Sequence, residues 1–253
     1  MNTVMITGAA AGIGLITAKR FAREGWFVGL YDINREAVAE LLETEEFNNA
    51  CGCFCDASDR ASLEAAVAHF TEKTDGRLDA VVNNAGVLSA GEFSQIDSSA
   101  HDRMIDVNVK GLTHLAELTF PYLRDTEGAT MVNLCSLSSV HGVPQLAVYS
   151  ATKFYVDGLT EALAIEWAKH DIRVVSVKPP FVNTAMVDGM PEQLTRLLKV
   201  DMEPEEVAEA IWLAVSEKKQ TQVLGLKSKV FEQLNKHLPE PMRHKLVSFI
   251  TGY

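Results

Sequence analysis

The chain has 253 residues, 47% of them hydrophobic and 23% charged, which is enough for one domain with a large core. A net charge of -11 and a pI near 5.1 exclude the basic surface that nucleic-acid binding requires. No apolar run approaches the roughly 18–20 residues of a membrane span, and no basic region leads a long apolar segment at the start, so neither a span nor a secretory signal is expected.

In chain order, Val4-Met5-Ile6 predicts a strand that stops at Thr7-Gly8-Ala9-Ala10-Ala11-Gly12-Ile13-Gly14. Ile13, Ile16, Ala18 and Phe21 then recur at helical spacing, Gly25 closes the helix, and Phe27–Tyr31 is a second apolar run leading to Asp32. Strand, glycine turn, helix, strand and acid together suit a dinucleotide. Glycines let the backbone approach a pyrophosphate, the helix start supplies amides and a positive dipole end, and the acid accepts hydrogen bonds from the adenosine ribose. Gly8, Gly12, Ile13, Gly14 and Asp32 are therefore candidate cofactor residues. A carboxylate at this place repels a 2'-phosphate and favours NAD, while the nearby Arg35 keeps NADP as the alternative.

Glu36–Glu46 reads as a helix, Ala50–Cys55 as a third strand ending in Asp56-Ala57-Ser58-Asp59, and Ser62–Lys73 as a helix capped by Asp59. The third strand carries Cys51-x-Cys53-x-Cys55, a spacing that does not suit a zinc knuckle and that places all three side chains on one strand face. Reduced, partly buried thiols in a cytoplasmic protein, with no metal site, are expected. Leu78–Val82 is the next strand and runs into Asn83-Asn84-Ala85-Gly86. Met104–Tyr122 reads as a long helix in which Asn108 is a buried hydrogen-bonder or a kink. Thr130–Leu134 is the fifth strand and ends in Cys135-Ser136-Leu137-Ser138-Ser139. This alternation predicts a Rossmann-like, doubly wound α/β domain: a single parallel sheet with helices on both faces, and ligands at the carboxyl ends of its strands.

A loop through Gly142 and Pro144 precedes the helix that holds Tyr149 and Lys153. Four apart on a helix, the two side chains address one volume. A free phenol titrates near ~10, and a neighbouring ammonium lowers that value enough for general acid/base work. The pair alone would also fit a helix face with no chemistry.

These motifs together resemble the short-chain dehydrogenase/reductase family in its compact form, over roughly Thr3 to Ala214. Thr7-Gly8-x-x-x-Gly12-x-Gly14 is similar to the family's cofactor turn, and Asn83-Asn84-Ala85-Gly86 to its strand end. The resemblance implies that Asp56, with Ala57 beside it, contacts the adenine, and that Asn84, Ala85 and Gly86 border the cofactor. Asn108, Ser136, Tyr149 and Lys153 fall where the family's catalytic tetrad is expected, Ser136 because it lies thirteen residues before Tyr149. The implied reaction is hydride transfer at the nicotinamide C4. Tyr149 would exchange the substrate proton, Lys153 would lower the tyrosine pKa and bind the nicotinamide ribose, Ser136 would polarise the reacting oxygen, and Asn108 would hold a water. Val182 and Thr184 match the carboxamide contacts, with Pro179 beside them. The sixth strand, Arg173–Val177, ends in Lys178-Pro179-Pro180 where the family usually has Pro-Gly; Pro180 removes a donor and fixes φ. Implied as well are a small-molecule substrate and a homo-oligomer, a dimer or tetramer. A catalytically silent dinucleotide-sensing scaffold is the reading from another class.

Residues 185–203 read as a substrate lid, with Met186, Val187, Met190, Leu194 and Leu197 favouring a hydrophobic alcohol or ketone or equally serving as core; the resemblance implies that Ser138 also lines that pocket. Pro204-Glu205-Glu206 starts a helix through Val215. A C-terminal helical extension at 226–253 is divided by Pro239 and Pro241 into two amphipathic pieces. Three readings of it stand in order of preference: packing on its own domain or a neighbouring subunit, closing over the substrate pocket, and attachment to a membrane surface. Lys236, His237, Arg243, His244 and Lys245 sustain the last.

Overall fold

A computed structural model of the chain describes residues 1–188, 190, 194, 200–219 and 221–253. Among them, β1 (Thr3–Thr7), β2 (Phe27–Asp32), β3 (Ala50–Phe54), β4 (Ala80–Asn83), β5 (Thr130–Leu134), β6 (Arg173–Lys178) and β7 (Gln222–Val223) form one parallel sheet in the order β3-β2-β1-β4-β5-β6-β7. The six expected strands are all present. β7 is an addition: two residues are too few to show a period.

Single residues decide which side of the sheet each strand position covers. Val4, Ile6, Val28, Leu30, Val82, Val132 and Val175 enter one core, whereas Met5, Tyr31, Val81, Met131 and Val174 enter the other. Both faces are apolar, so each strand reads as a continuous hydrophobic run, as a parallel sheet covered on two sides requires. α1 (Gly12–Arg23) and α7 (Pro204–Ser216) cover the first face, with Phe21, Ala18, Val207 and Ile211 inward. α3 (Arg60–Lys73) and α5 (Leu112–Arg124) cover the second with Leu63, Phe70, Leu115 and Leu123.

Local chemistry sets the helix starts. Asp59 accepts from the amides of Ala61 and Ser62, as expected for a cap on α3. Asn34 accepts from Ala37 at the start of α2 (Arg35–Leu42), and α7 begins with Pro204 and a Glu203/Glu206 capping box. The expected helix to Glu46 stops at Leu42, and Glu45–Phe47 is instead a 3₁₀ turn that buries Phe47. The expected Met104–Tyr122 helix is longer and interrupted: α4 (Ser98–Ile105) passes through a π turn at Asp106–Gly111 into α5. α6 (Ala147–Glu166) carries Tyr149 and Lys153; α8 (Leu226–His237) and α9 (Glu240–Thr251) make the tail, separated at Pro239.

β1 is flanked by β2 on one side and β4 on the other, so the direction of winding reverses there, and a crevice opens at the strand ends. Below it, fully buried Phe21 meets Trp26 and Trp212 edge-on, with ring centroids 5.0 and 5.1 Å away. Phe21→Ala is expected to cost about 3–5 kcal/mol, measured by urea denaturation, because the α1–α7 seam cannot close over the lost ring.

Candidate active site

The crevice is a cleft of about 320 Å³. Of the residues singled out in the sequence, Gly8, Gly12, Ile13, Asp32, Asp56, Ala57, Asn84, Ala85 and Gly86 line it on one side. Ser136, Tyr149, Lys153, Pro179, Val182, Thr184 and Met186 line it on the other.

The glycine turn is held from beneath. Gly8 and Gly12 have φ of +66° and +51°, a region closed to most side chains. Asn84 Nδ2 donates to the carbonyls of Thr7 and Gly8 at 2.9 and 3.0 Å, and Thr7 Oγ1 accepts from the amides of Asn84 and Ala85. Gly14 lies outside the lining. Its role is packing: a β-carbon there would collide with the Gly8 carbonyl oxygen and would stand 2.6 Å from Asn84 Nδ2. Asp32 accepts from Ala10 N at 2.9 Å and from Asn34 N at 2.9 Å, so the acid is fixed against the turn it faces. Asp56 accepts from the amide and hydroxyl of Ser58 at 2.9 and 2.7 Å.

On the other side, Lys153 is buried and its Nζ donates to the Leu134 carbonyl at 2.9 Å, which ties α6 to the end of β5. Its Nζ sits 5.6 Å from the Tyr149 ring centroid. Burial lowers the Lys153 pKa, and burial raises that of the Tyr149 phenol above its ordinary value, with the Ser136 hydroxyl pulling it partly back. The expected depression of Tyr149 by Lys153 is thus outweighed, since desolvation disfavours the charged form of both groups. Ser136 Oγ also accepts from Ser138 N at 3.1 Å, which fixes the turn after β5. Asn108 is buried beside the cleft rather than in its lining. Its amide is engaged by Val87 N (2.8 Å), Val87 O (2.9 Å) and Thr152 Oγ1 (3.2 Å), so it is both the hydrogen-bonder and the helix irregularity. Gly86 leaves room at this junction, since a β-carbon there would stand 3.3 Å from Asn108 Oδ1 and 3.9 Å from Lys153 Nζ.

Two expected substrate contacts are not in the lining. Ser138 is buried outside the lining, in the turn that Ser136 caps. Met190 is buried with Leu194, Met104 and Leu146 in an apolar cluster that also holds Tyr149 and packs against the lining residues Val87, Leu88, Phe181 and Val187. Met186 and Val187 do line the cleft, and Leu197 falls outside the described residues.

The sequence reading passed over several lining residues: Ala11, Ile33, Val87, Leu88, Val107 and Phe181. Each is an ordinary apolar residue with no signal beyond its place, which is the π turn for Val107 and a segment after a strand end for the others. Gly111 had a clearer one, as a lone glycine inside a helix; a β-carbon there would collide with the Ala57 carbonyl oxygen, so it lets the helix approach the Asp56–Ala57 turn. Cys55 lines the cleft too, its thiol pushed up to about 12 by burial, so it is an inert wall; all four cysteines are free. No cluster of metal-ligating side chains occurs among the described residues.

The lysine before the two prolines is also placed. Lys178 is buried and its Nζ meets Asp157 Oδ2 at 2.7 Å, one helical turn beyond Lys153. The Pro179 carbonyl accepts from Leu137 N at 2.8 Å, knitting the strand end to the serine turn, while Pro180 lines the cleft.

A cleft with positive-φ glycines at one end, a fixed carboxylate beside them, and a tyrosine, lysine and serine at the other fits a nicotinamide dinucleotide and its substrate. The sequence profile described as short chain dehydrogenase matches residues 2–195. The chain belongs to that family. It is an oxidoreductase of CH–OH or carbonyl groups that uses a nicotinamide dinucleotide. It is 32% identical over 233 residues to the 3-oxoacyl-[acyl-carrier-protein] reductase of Thermotoga maritima, covering 88% of this chain and 94% of that protein. To the meso-2,3-butanediol dehydrogenase of Serratia marcescens it is 33% identical over 213 residues, with 82% and 84% covered. The crystal structure of a Brucella melitensis 3-ketoacyl-(acyl-carrier-protein) reductase complexed with NADH superposes with a TM-score of 0.79 at 30% identity, covering 88% of this chain and 94% of that one.

Breaking the buried ion pair gives a direct test of how α6 is anchored. Asp157→Asn should cost about 3 kcal/mol in urea denaturation, because it leaves Lys178 charged and enclosed, whereas Asp157→Leu with Lys178→Met should recover most of the loss.

Proposed function

We propose that this member of the family is an NAD-dependent dehydrogenase or carbonyl reductase that moves hydride between the nicotinamide C4 and a hydrophobic secondary alcohol or ketone. The observation that carries the reading is that Ser136, Tyr149 and Lys153 share one cleft with the glycine turn and Asp32. NAD supplies or accepts the hydride when bound. Gly8, Gly12, Ile13 and the adjacent amides would hold its pyrophosphate, with Gly14 keeping the turn closed. Asp32 would hold the adenosine ribose, Asp56 and Ala57 the adenine, and Asn84, Ala85 and Gly86 the middle of the molecule. Pro179, Val182 and Thr184 would border the nicotinamide end.

Lys153 retains two N–H donors beyond the bond to Leu134, and these can bind the nicotinamide ribose. Tyr149 exchanges the substrate proton, and Ser136 donates to the reacting oxygen. With both N–H groups of its amide donated to Val87 and Thr152, Asn108 would use the remaining Oδ1 lone pair for the water that links Lys153 to solvent. Most of the acceleration from these groups is positioning and electrostatic. An apolar substrate is supported by Val87, Leu88, Phe181, Met186 and Val187 in the lining, and residues 185–203 would serve as its lid.

NAD rather than NADP is supported by Asp32 and by the position of Arg35. Its guanidinium lies over the Phe54 ring, 4.9 Å from the centroid, and it is not among the lining residues. The reading includes a homo-oligomer, supported by exposed Phe154, Tyr155 and Ile165 on α6, and a cytoplasmic location, supported by four free thiols.

Tyr149→Phe should abolish turnover of hydrophobic secondary alcohols and ketones at 340 nm while NADH affinity, read by fluorescence titration, stays nearly unchanged. In the unaltered protein, a raised phenol pKa keeps Tyr149 protonated through neutral pH. Ketone reduction should therefore persist there, and alcohol oxidation should rise about tenfold per pH unit until the phenol ionises. A fully active Phe variant would sink the tyrosine assignment.

Asp32→Ala should weaken NADH binding and improve NADPH relative to it, measured by parallel fluorescence titrations. An unchanged preference would remove the carboxylate from the ribose site.

A further inference from the structure

α8 is built inside out. Its buried positions are Ser228 and Asn235, with Phe231 partly buried between them, and Asn235 Nδ2 donates to the Val140 carbonyl at 2.7 Å. Leu226, Val230 and Leu234 are spaced four apart, which stacks them in one stripe, and they are 79%, 50% and 43% exposed. A surface helix ordinarily turns its apolar stripe to the core. α9 adds Met242 and Phe249, seven apart, at 53% and 86% exposure. Single exposed hydrophobic residues are ordinary; a stripe of them on a helix with a polar packing face marks an interaction surface.

Charge selects the partner. Residues 226–253 carry five Lys and Arg against two acids, a net of +3, while the preceding 225 residues carry 18 against 32, a net of -14. Lys227 and Lys236 also meet Asp201 and Glu232 at 3.7 and 3.1 Å, bridges whose exposed lysine ends are held weakly. A two-fold pairing of this face with a second copy would set the same cations against one another. An anionic lipid surface would instead attract them.

We propose that α8 and α9 dock the protein on an anionic membrane surface, with the leucine and phenylalanine side chains entering the headgroup boundary and the lysines meeting lipid phosphates. Among the described residues no helix is long and apolar enough to cross a membrane, so the attachment is peripheral. The same helices contact the loop that joins the serine turn to α6. Asn235 holds the segment just after the serine turn, and the His244 ring lies 5.6 Å from that of His141. Tyr253 donates to Glu92 and accepts from Gln145 Nε2 at 3.0 Å. On the oxidoreductase reading above, docking places the cleft where apolar alcohols and ketones dissolve.

Co-sedimentation of the full chain with phosphatidylcholine vesicles, and with equimolar phosphatidylcholine and phosphatidylglycerol vesicles, tests the proposal without any substrate. Binding is expected to the anionic vesicles alone and should fall about tenfold when salt is raised from about 0.05 to 0.5 M. Combining Leu226→Ser, Val230→Ser and Phe249→Ser, all at exposed positions, should lower binding about tenfold or more, as should Lys229→Glu with Lys245→Glu. NADH titration should be unchanged in both variants, which shows that the fold persists. Failure to sediment with either vesicle, or undiminished binding of the variants, overturns the proposal. So does self-association of the unaltered protein that the serine variant abolishes, which would give the face to a second copy. Failure of the oxidoreductase reading would appear in the turnover screen instead.

Discussion

An ammonium group enclosed in protein has to be given partners, and Lys153 dictates much of what surrounds it. Its bond to the Leu134 carbonyl joins α6 to β5, and the remaining donors are left at the head of a cleft. Gly86 keeps space beside it, and the π turn carrying Asn108 brings the amide that holds Val87 just behind. One turn further along α6, Asp157 neutralises the buried Lys178 and fixes the same helix to β6. Two buried cations thus pin one helix to two adjacent strands, and Tyr149 takes its position from that helix. Such anchoring is costly in desolvation, and its return is placement of the phenol rather than net stability.

The cofactor half is rigid for a different reason. Apart from the carboxylates of Asp32 and Asp56, it depends on close backbone approach: Gly14 under Gly8, Asn84 bridging two turns, Gly111 against Ala57. Each of these contacts leaves no room for a β-carbon or fills the space with a single amide. The two halves meet at the point where the winding of the sheet reverses, so a molecule spanning the cleft touches six of the seven strand ends or the turns that follow them.

Polarity is distributed unevenly over the molecule. The domain body is strongly acidic, while the two helices after Gly225 are basic and carry apolar residues outward. Those helices are nonetheless integrated with the domain through Asn235, Val247, Thr251 and Tyr253, so the packing reading of the tail describes its inner side, while none of its residues is in the lining of the cleft. What its outer side meets is a separate question, set by Leu226, Val230, Leu234 and Phe249.

Much of this was legible in the chain itself. Strand periodicity, the Thr7–Gly14 turn, Asp32 and the Tyr149/Lys153 spacing are local patterns, and local sterics and hydrogen bonding fix their meaning. The sequence by itself therefore determined the doubly wound sheet, the cofactor turn and the residues assembled at the cleft. Tertiary structure decided what depends on neighbours distant in the chain. It packed Gly14 beneath the glycine turn and Met190 into the apolar cluster with Tyr149, paired Lys178 with Asp157, and set Arg35 on Phe54. It also raised the Tyr149 pKa where spacing alone suggested a fall, and turned the apolar stripe of α8 outward. Burial is the common cause, because desolvation depends on everything packed around a group and no run of neighbouring residues encodes it.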